Sequence, residues 1–157
     1  MQRNGQAMRH ILCPRCGGVN RLPESRPAGL AKCGACHERL FDGHPTAVDA
    51  TSFDKHLRVN DIPMLVDMWA PWCGPCRTMA PIFEKAAQTL EPDLRLLKLN
   101  VDEAPEIAAR YSVSGIPALL LFHKGQVITQ QAGAQSAEAI VRWARGHAPA
   151  PATSAGD

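Results

Sequence analysis

The stretch Trp69-Ala-Pro-Trp-Cys-Gly-Pro-Cys-Arg77 decides how the chain is read. It directly follows Pro63-Met-Leu-Val-Asp-Met-Trp-Ala70, a near-continuous apolar run of strand length. Such a run suits a central strand covered on both faces. A helix is predicted from near Cys73 to about Leu90, with Pro81 inside it as a kink. Cys73 thus lands at a strand-to-helix junction. Unpaired N–H groups at a helix start stabilise a thiolate there, so Cys73 is the candidate nucleophile. Cys76, one turn further in, is the candidate resolving thiol. Pro75 fits the first helical turn, where its missing N–H is not needed, and it stiffens the turn that Gly74 opens.

Asp67 interrupts the buried run. A carboxylate there is costly unless neutralised or paired, and burial raises its pKa. A buried acid close to a CxxC pair is placed to exchange a proton with Cys76. Lys98, in the second apolar run Leu94–Val101, is its candidate partner. Ile116-Pro117 follows the turn pair Ser114-Gly115, a setting that favours a cis peptide.

Outward from this centre, Thr46–Asp49 reads as a short edge strand. A helix with a cap at Thr51-Ser-Phe-Asp54 should run to about Val59. Ala104–Tyr111 reads as a short helix, Ala118–His123 as a strand, and Gln126–Gln131 as its hairpin partner across Lys124-Gly125. Ser136–Arg145 closes as an amphipathic helix with Ala139, Ile140, Trp143 and Ala144 on one stripe. The order β-α-β-α-β-α-β-β-α implies an α/β domain: a mixed sheet flanked by helices, parallel where helices join the strands and antiparallel at the hairpin.

The other four cysteines stand as Cys13-x2-Cys16 and Cys33-x2-Cys36, sixteen residues apart. Two such turns facing each other make a closed tetrahedral Zn²⁺ site. Two disulfides or four free thiols are the alternatives, less suited to a cytoplasmic chain. His37 is a possible substitute ligand, although four thiols already suffice. Gly17-Gly18 and Gly34 are read as the turn glycines. Residues 13–43 hold too few apolar side chains for a core of their own, so a metal cross-link would supply folding energy. Residues 1–12 read as a flexible lead-in. The domains expected are 1–45, a zinc-ribbon-like unit with its linker; 46–147, the redox unit; and 148–157, a disordered tail.

Net charge is +2, unevenly spread: +4 over residues 1–45 and −2 over the rest. Four thiolates on one Zn²⁺ would offset part of the basic excess, so nucleic acid is not an expected partner. No apolar run is long enough to span a membrane, and the N-terminus lacks an apolar signal-peptide region. The cytoplasm is the expected location. Met64, Met68 and Met79 read as packing residues.

On these residues the chain resembles the thioredoxin family, whose active-site motif is WCGPC. The resemblance runs from about Ala50 to Gly146. Asp67, Trp69, Trp72, Pro81, Lys98, Ile116-Pro117 and Gly133 also match. With the four-cysteine segment and Leu40-Phe-Asp-Gly43, the chain is most similar to the zinc-containing thioredoxin 2 subgroup. The resemblance implies a thioredoxin fold and a cis peptide at Pro117 packed against the sulfurs. It also implies substrate backbone docking on Ile116 and Gly133-Ala134 beside Trp72. The implied activity is protein-disulfide reduction without an organic cofactor, recharged by thioredoxin reductase using NADPH, and a monomer is expected. Pro71 and Arg77 depart from the best-known members, where an acidic residue and a lysine stand. Two rival functions share these residues. One is an oxidase or isomerase, against which Gly74-Pro75 argues. The other is a module whose N-terminal thiols sense oxidation by ejecting metal.

Overall fold

A computed structural model describes residues 7–149. The expected tail beyond residue 149 and the start of the expected lead-in lie outside the described residues. A five-stranded sheet forms the body: β3 (Thr46–Val48), β5 (Arg95–Asn100), β4 (Met64–Trp69), β6 (Ala118–His123) and β7 (Gln126–Ala132), in that spatial order. β3, β5 and β4 are parallel; β6 runs against β4 and β7 against β6. Four helices flank the sheet: α1 (Ala50–Val59), α2 (Gly74–Leu90), α3 (Pro105–Arg110) and α4 (Ala137–His147).

One element departs from the rule that helix-joined strands are parallel. β6 follows α3 yet opposes β4. At six residues α3 rises about 9 Å, while a six-residue strand spans about 20 Å. The helix is too short to carry the chain back along the sheet, so β6 starts at the end where β5 finishes. The first cap also differs: Asp49 and Ser52 form the capping box of α1, two residues ahead of the expected start.

Side-chain alternation along the strands builds two cores. Val66, Met68, Leu97, Leu99 and Leu120 face Phe53 of α1 and Ile107 of α3. Leu65, Leu96, Leu119 and Leu121 face Met79 and Phe83 of α2 and Ile140 of α4. Met64, Met68 and Met79 are all buried packing residues.

The N-terminal segment overturns two expectations. Met8–Leu12 is a strand, β1, paired antiparallel with β2 (Val19–Pro23). The segment also has a small core: Ile11, Leu22, Ala28, Ala31, Leu40 and Phe41 pack together with Cys13, Cys33 and Ile62. What the sequence hid is that the body completes this core. Ile62 comes from the body, and Arg95, at the start of β5, reaches into the ribbon. Its Nη2 donates to the carbonyls of Leu40 (2.8 Å) and Leu12 (3.3 Å), and its guanidinium lies 4.1 Å over the Phe41 ring. Glu91, 3.6 Å from Arg95 and equally covered, supplies the counter-charge. Asn60 accepts from the Leu12 N–H at 2.8 Å, and Lys55 Nζ donates to the Gly17 carbonyl at 2.7 Å. Three ribbon carbonyls and one N–H, those of Leu12 and Leu40 buried and that of Gly17 half-buried, thereby find partners on the body.

Candidate redox site and metal centre

β4 leads through buried Ala70 into Cys73, which is the N-cap of α2. Cys73 and Cys76 form a disulfide. The Cys76 N–H lies 3.2 Å from Cys73 Sγ, so one of the free donors of the helix start already points at that sulfur. Both sulfurs are nearly covered: Cys73 is 5% exposed and Cys76 2%. They pack with Ala70 and against Trp69, Val101 and Ile116. The Ile116 carbonyl oxygen is 3.8 Å from Cys73 Sγ, and the Ile116–Pro117 peptide is cis. Beside it, the Gly133 N–H donates to the Pro117 carbonyl at 2.8 Å, and Ala134 follows on the surface.

Trp72 stands on the rim, 67% exposed. Its indole N–H donates to Asp102 at 3.2 Å. Asp102 was not singled out from the sequence; the signal was an acid just past the end of β5, the end at which the cysteines lie. Arg77 closes the active-site loop by donating to the Pro71 carbonyl at 2.7 Å. The two departures from the family pattern thus touch each other.

Asp67 is 2% exposed, opposite Lys98 on β5 and Leu119 on β6. By alternation with Leu65 it points to the sheet face that α2 covers. Burial raises its pKa from an ordinary 3.8 to about 7, against the pull of Lys98. Its Oδ1 has no hydrogen-bond partner among the described residues. Lys98 is half-buried, with Nζ 5.6 Å from the Trp69 ring centre.

At the other centre, the four Sγ atoms of Cys13, Cys16, Cys33 and Cys36 lie within 4.8 Å of one another. Cys13 and Cys36 sulfurs are 3.7 Å apart, and those of Cys16 and Cys33 3.6 Å. Tetrahedral zinc with bonds of about 2.3 Å requires about 3.8 Å between sulfurs. The set therefore fits a structural zinc ion, with no place in it for His37. The chemistry agrees. Hydrogen bonds from the Cys36 backbone and the Asn20 side chain pull Cys33 down to about 6. Cys36, although the Glu38 backbone favours its thiolate, is pushed up to about 12 by burial and by the neighbouring sulfurs. Crowded thiolates oppose each other's ionisation, and a dication would remove that opposition.

Both knuckles turn on a left-handed residue after the second cysteine: Gly17 (φ 76°) and His37 (φ 67°). Gly34, expected as the turn glycine of the second knuckle, is not in that region. The N–H groups of Gly17 and His37 bond back to the carbonyls of Cys13 and Cys33. A histidine at positive φ carries steric cost that glycine avoids. His37→Gly should therefore stabilise the protein by about 0.5–1 kcal/mol in denaturant titrations.

Comparison with known proteins agrees with both centres. Residues 44–146 match the family model described as Thioredoxin, and residues 12–38 match that described as Thioredoxin 2, N-terminal. Thioredoxin C-3 of Corynebacterium nephridii is 34% identical, covering 85% of this chain and 91% of its own length. A thioredoxin of Rickettsia bellii is 38% identical over 59% of this chain and 88% of its own. Among solved structures, a mutant thioredoxin from Halobacterium salinarum superposes with a TM-score of 0.62 at 31% identity, covering 70% of this chain and 96% of that one. The chain belongs to the thioredoxin family and is a thiol–disulfide oxidoreductase.

Proposed function

We propose that the protein reduces protein disulfides through Cys73 and Cys76 and is recharged by an NADPH-dependent thioredoxin reductase. The observation that carries this is Cys73 as the N-cap of α2, disulfide-linked to Cys76 beside the Ile116 carbonyl. In the dithiol form, Cys73 thiolate attacks one sulfur of a substrate disulfide and expels the other as a thiolate. Cys76 then attacks Cys73 Sγ, expelling the second substrate sulfur. Two electrons pass to the substrate, and the Cys73–Cys76 bond holds the oxidised state. Asp67, poised near neutrality, takes the proton from Cys76; Lys98 opposite it moderates its charge. Gly74 and Pro75 hold the two sulfurs in one turn. Substrate backbone lies along Ile116, Pro117, Gly133 and Ala134, with Trp72 and Trp69 walling the site.

Residues 1–45 serve as a metal-held ribbon and linker, 46–147 as the redox unit and 148–157 as a tail. Cys13, Cys16, Cys33 and Cys36 would hold one zinc ion, which cross-links the ribbon and takes no part in the exchange. Four thiols kept free of disulfides suit a reducing compartment, which supports a cytoplasmic location. Among the described residues no helix is long and apolar enough to cross a membrane. We take the working form to be a monomer. An insulin reduction assay with NADPH and a bacterial thioredoxin reductase tests the cycle. Sustained NADPH consumption is expected; insulin reduction with dithiothreitol but none with the reductase would refute the recharging step.

A further inference from the structure

Far from the cysteines, at the opposite end of the sheet, a cavity of about 870 Å³ opens between ribbon and body. It sits where β4 and β5 begin and β6 ends, about one strand length from the redox turn. Nothing in the exchange chemistry uses it. Its size lies in the range of small-molecule sites, and junctions between structural units are where such sites concentrate.

The wall has two characters. Met8, Pro27, Pro63 and Pro92, half-buried or exposed, line it with apolar surface, while Ile62 and Leu94 are almost fully covered. Arg9, Arg26, Lys124 and Arg145 add cations, and among the described residues none of the four has an acid within 4.0 Å. Arg9 and Arg145 spend donors on the backbone carbonyls of Arg26 and Thr89. Arg26 and Lys124 are exposed and available. Three acids also line the cavity. Asp61 is occupied by His10, whose N–H and ring both reach it, which leaves Glu24 and Asp93. Four cations therefore face three acids, an excess of one positive charge beside the apolar lining.

We propose that this cavity is a ligand site for an amphipathic anion, an apolar body carrying one carboxylate or sulfonate head. The apolar wall removes the body from water, and the head meets Arg26 and Lys124 at the rim. Arg26 and Ala28 belong to the ribbon side and Lys124 and Leu94 to the body. A bound anion would bridge the two and hold the seam closed.

The test uses the full zinc-loaded chain in its oxidised form, with 8-anilinonaphthalene-1-sulfonate as the probe. One saturable site in the micromolar range is expected, with dodecanoate displacing the probe and dodecyltrimethylammonium failing to. The double variant Arg26→Glu/Lys124→Glu should bind the probe at least about tenfold more weakly. It should still reduce insulin at the unaltered rate, since both residues are exposed and lie away from the cysteines. Amide shifts on binding should fall at Ile62, Leu94 and Lys124. Absence of a saturable site, equal displacement by the cation, unchanged affinity in the variant, or shifts centred on Trp72 and Ile116 would each overturn the proposal. The redox reading is tested separately by insulin reduction, so either can fail alone.

Discussion

Cys73→Ser is expected to remove disulfide reduction, lowering turnover of an insulin assay by on the order of a thousandfold or more. The reason is elementary. The attacking species is a thiolate, and a serine hydroxyl does not ionise near neutral pH even with the Cys76 N–H pointing at it. Cys76→Ser should differ in kind. Cys73 can still attack, but nothing releases it, so the protein should accumulate as a mixed disulfide with its substrate, visible by non-reducing electrophoresis and mass. Changing Cys16 or Cys33 to serine should leave the exchange chemistry intact and lower stability instead. If Cys73→Ser keeps its activity while a ribbon cysteine variant loses it, the roles given to the pairs are reversed.

Asp67→Asn should make the protein more stable and less active. At 2% exposure the carboxylate is held in a site that disfavours its charge, with its pKa raised from 3.8 to about 7. Between those values the native chain holds a proton that the unfolded chain has released. The Asp67 contribution to stability therefore falls as pH rises from about 4 to about 7, and above pH 7 its full cost applies. That cost is about 4 kcal/mol at 1.36 kcal/mol per pH unit. The asparagine amide carries no charge, so the gain should be about 4 kcal/mol at pH 8 and near zero at pH 4. Urea melts at the two pH values measure it. Glu91, also raised to about 7 by burial against the pull of Arg95, adds a slope of the same sign. His56, lowered to about 3 by burial, adds one of opposite sign between about pH 3 and 6.5, so the difference between variant and parent at each pH is what isolates Asp67. Release of the mixed disulfide should slow by roughly a hundredfold near pH 7, as expected for loss of a proton acceptor. It should recover at high pH, where Cys76 ionises unaided. A variant destabilised at pH 8 would show that Asp67 is paired and not merely buried.

The body of the fold was legible because its signals are local. Apolar runs of strand length, a proline-interrupted helix and a Lys124-Gly125 hairpin place β4, α2, β5, β6 and β7 within a residue or two. Asp67 was legible because a charge inside an apolar run demands a reason. The ribbon was legible only as ligands. Its core depends on Ile62, Asn60 and Arg95, which lie far along the chain, and the sequence near residue 13 carries no trace of them. Arg95 sits in the same apolar run as Lys98, and nothing local says that it turns towards the ribbon. The direction of β6 was lost for a similar reason: it follows from the length of α3, not from its presence. His37 was weighed as a ligand, and its positive φ shows it instead taking the turn position that a glycine fills in the first knuckle.

Six sulfurs divided four and two carry the chemistry of this chain. The direct measurement is zinc analysis with thiol counting on the purified protein, first reduced and then mildly oxidised. One zinc per chain is expected in both states, with two thiols reactive in the reduced protein and none after oxidation. The four ribbon thiols should become reactive only when a chelator removes the metal. Zinc lost together with the first two oxidised thiols, or six equally reactive thiols in the reduced protein, would contradict the account.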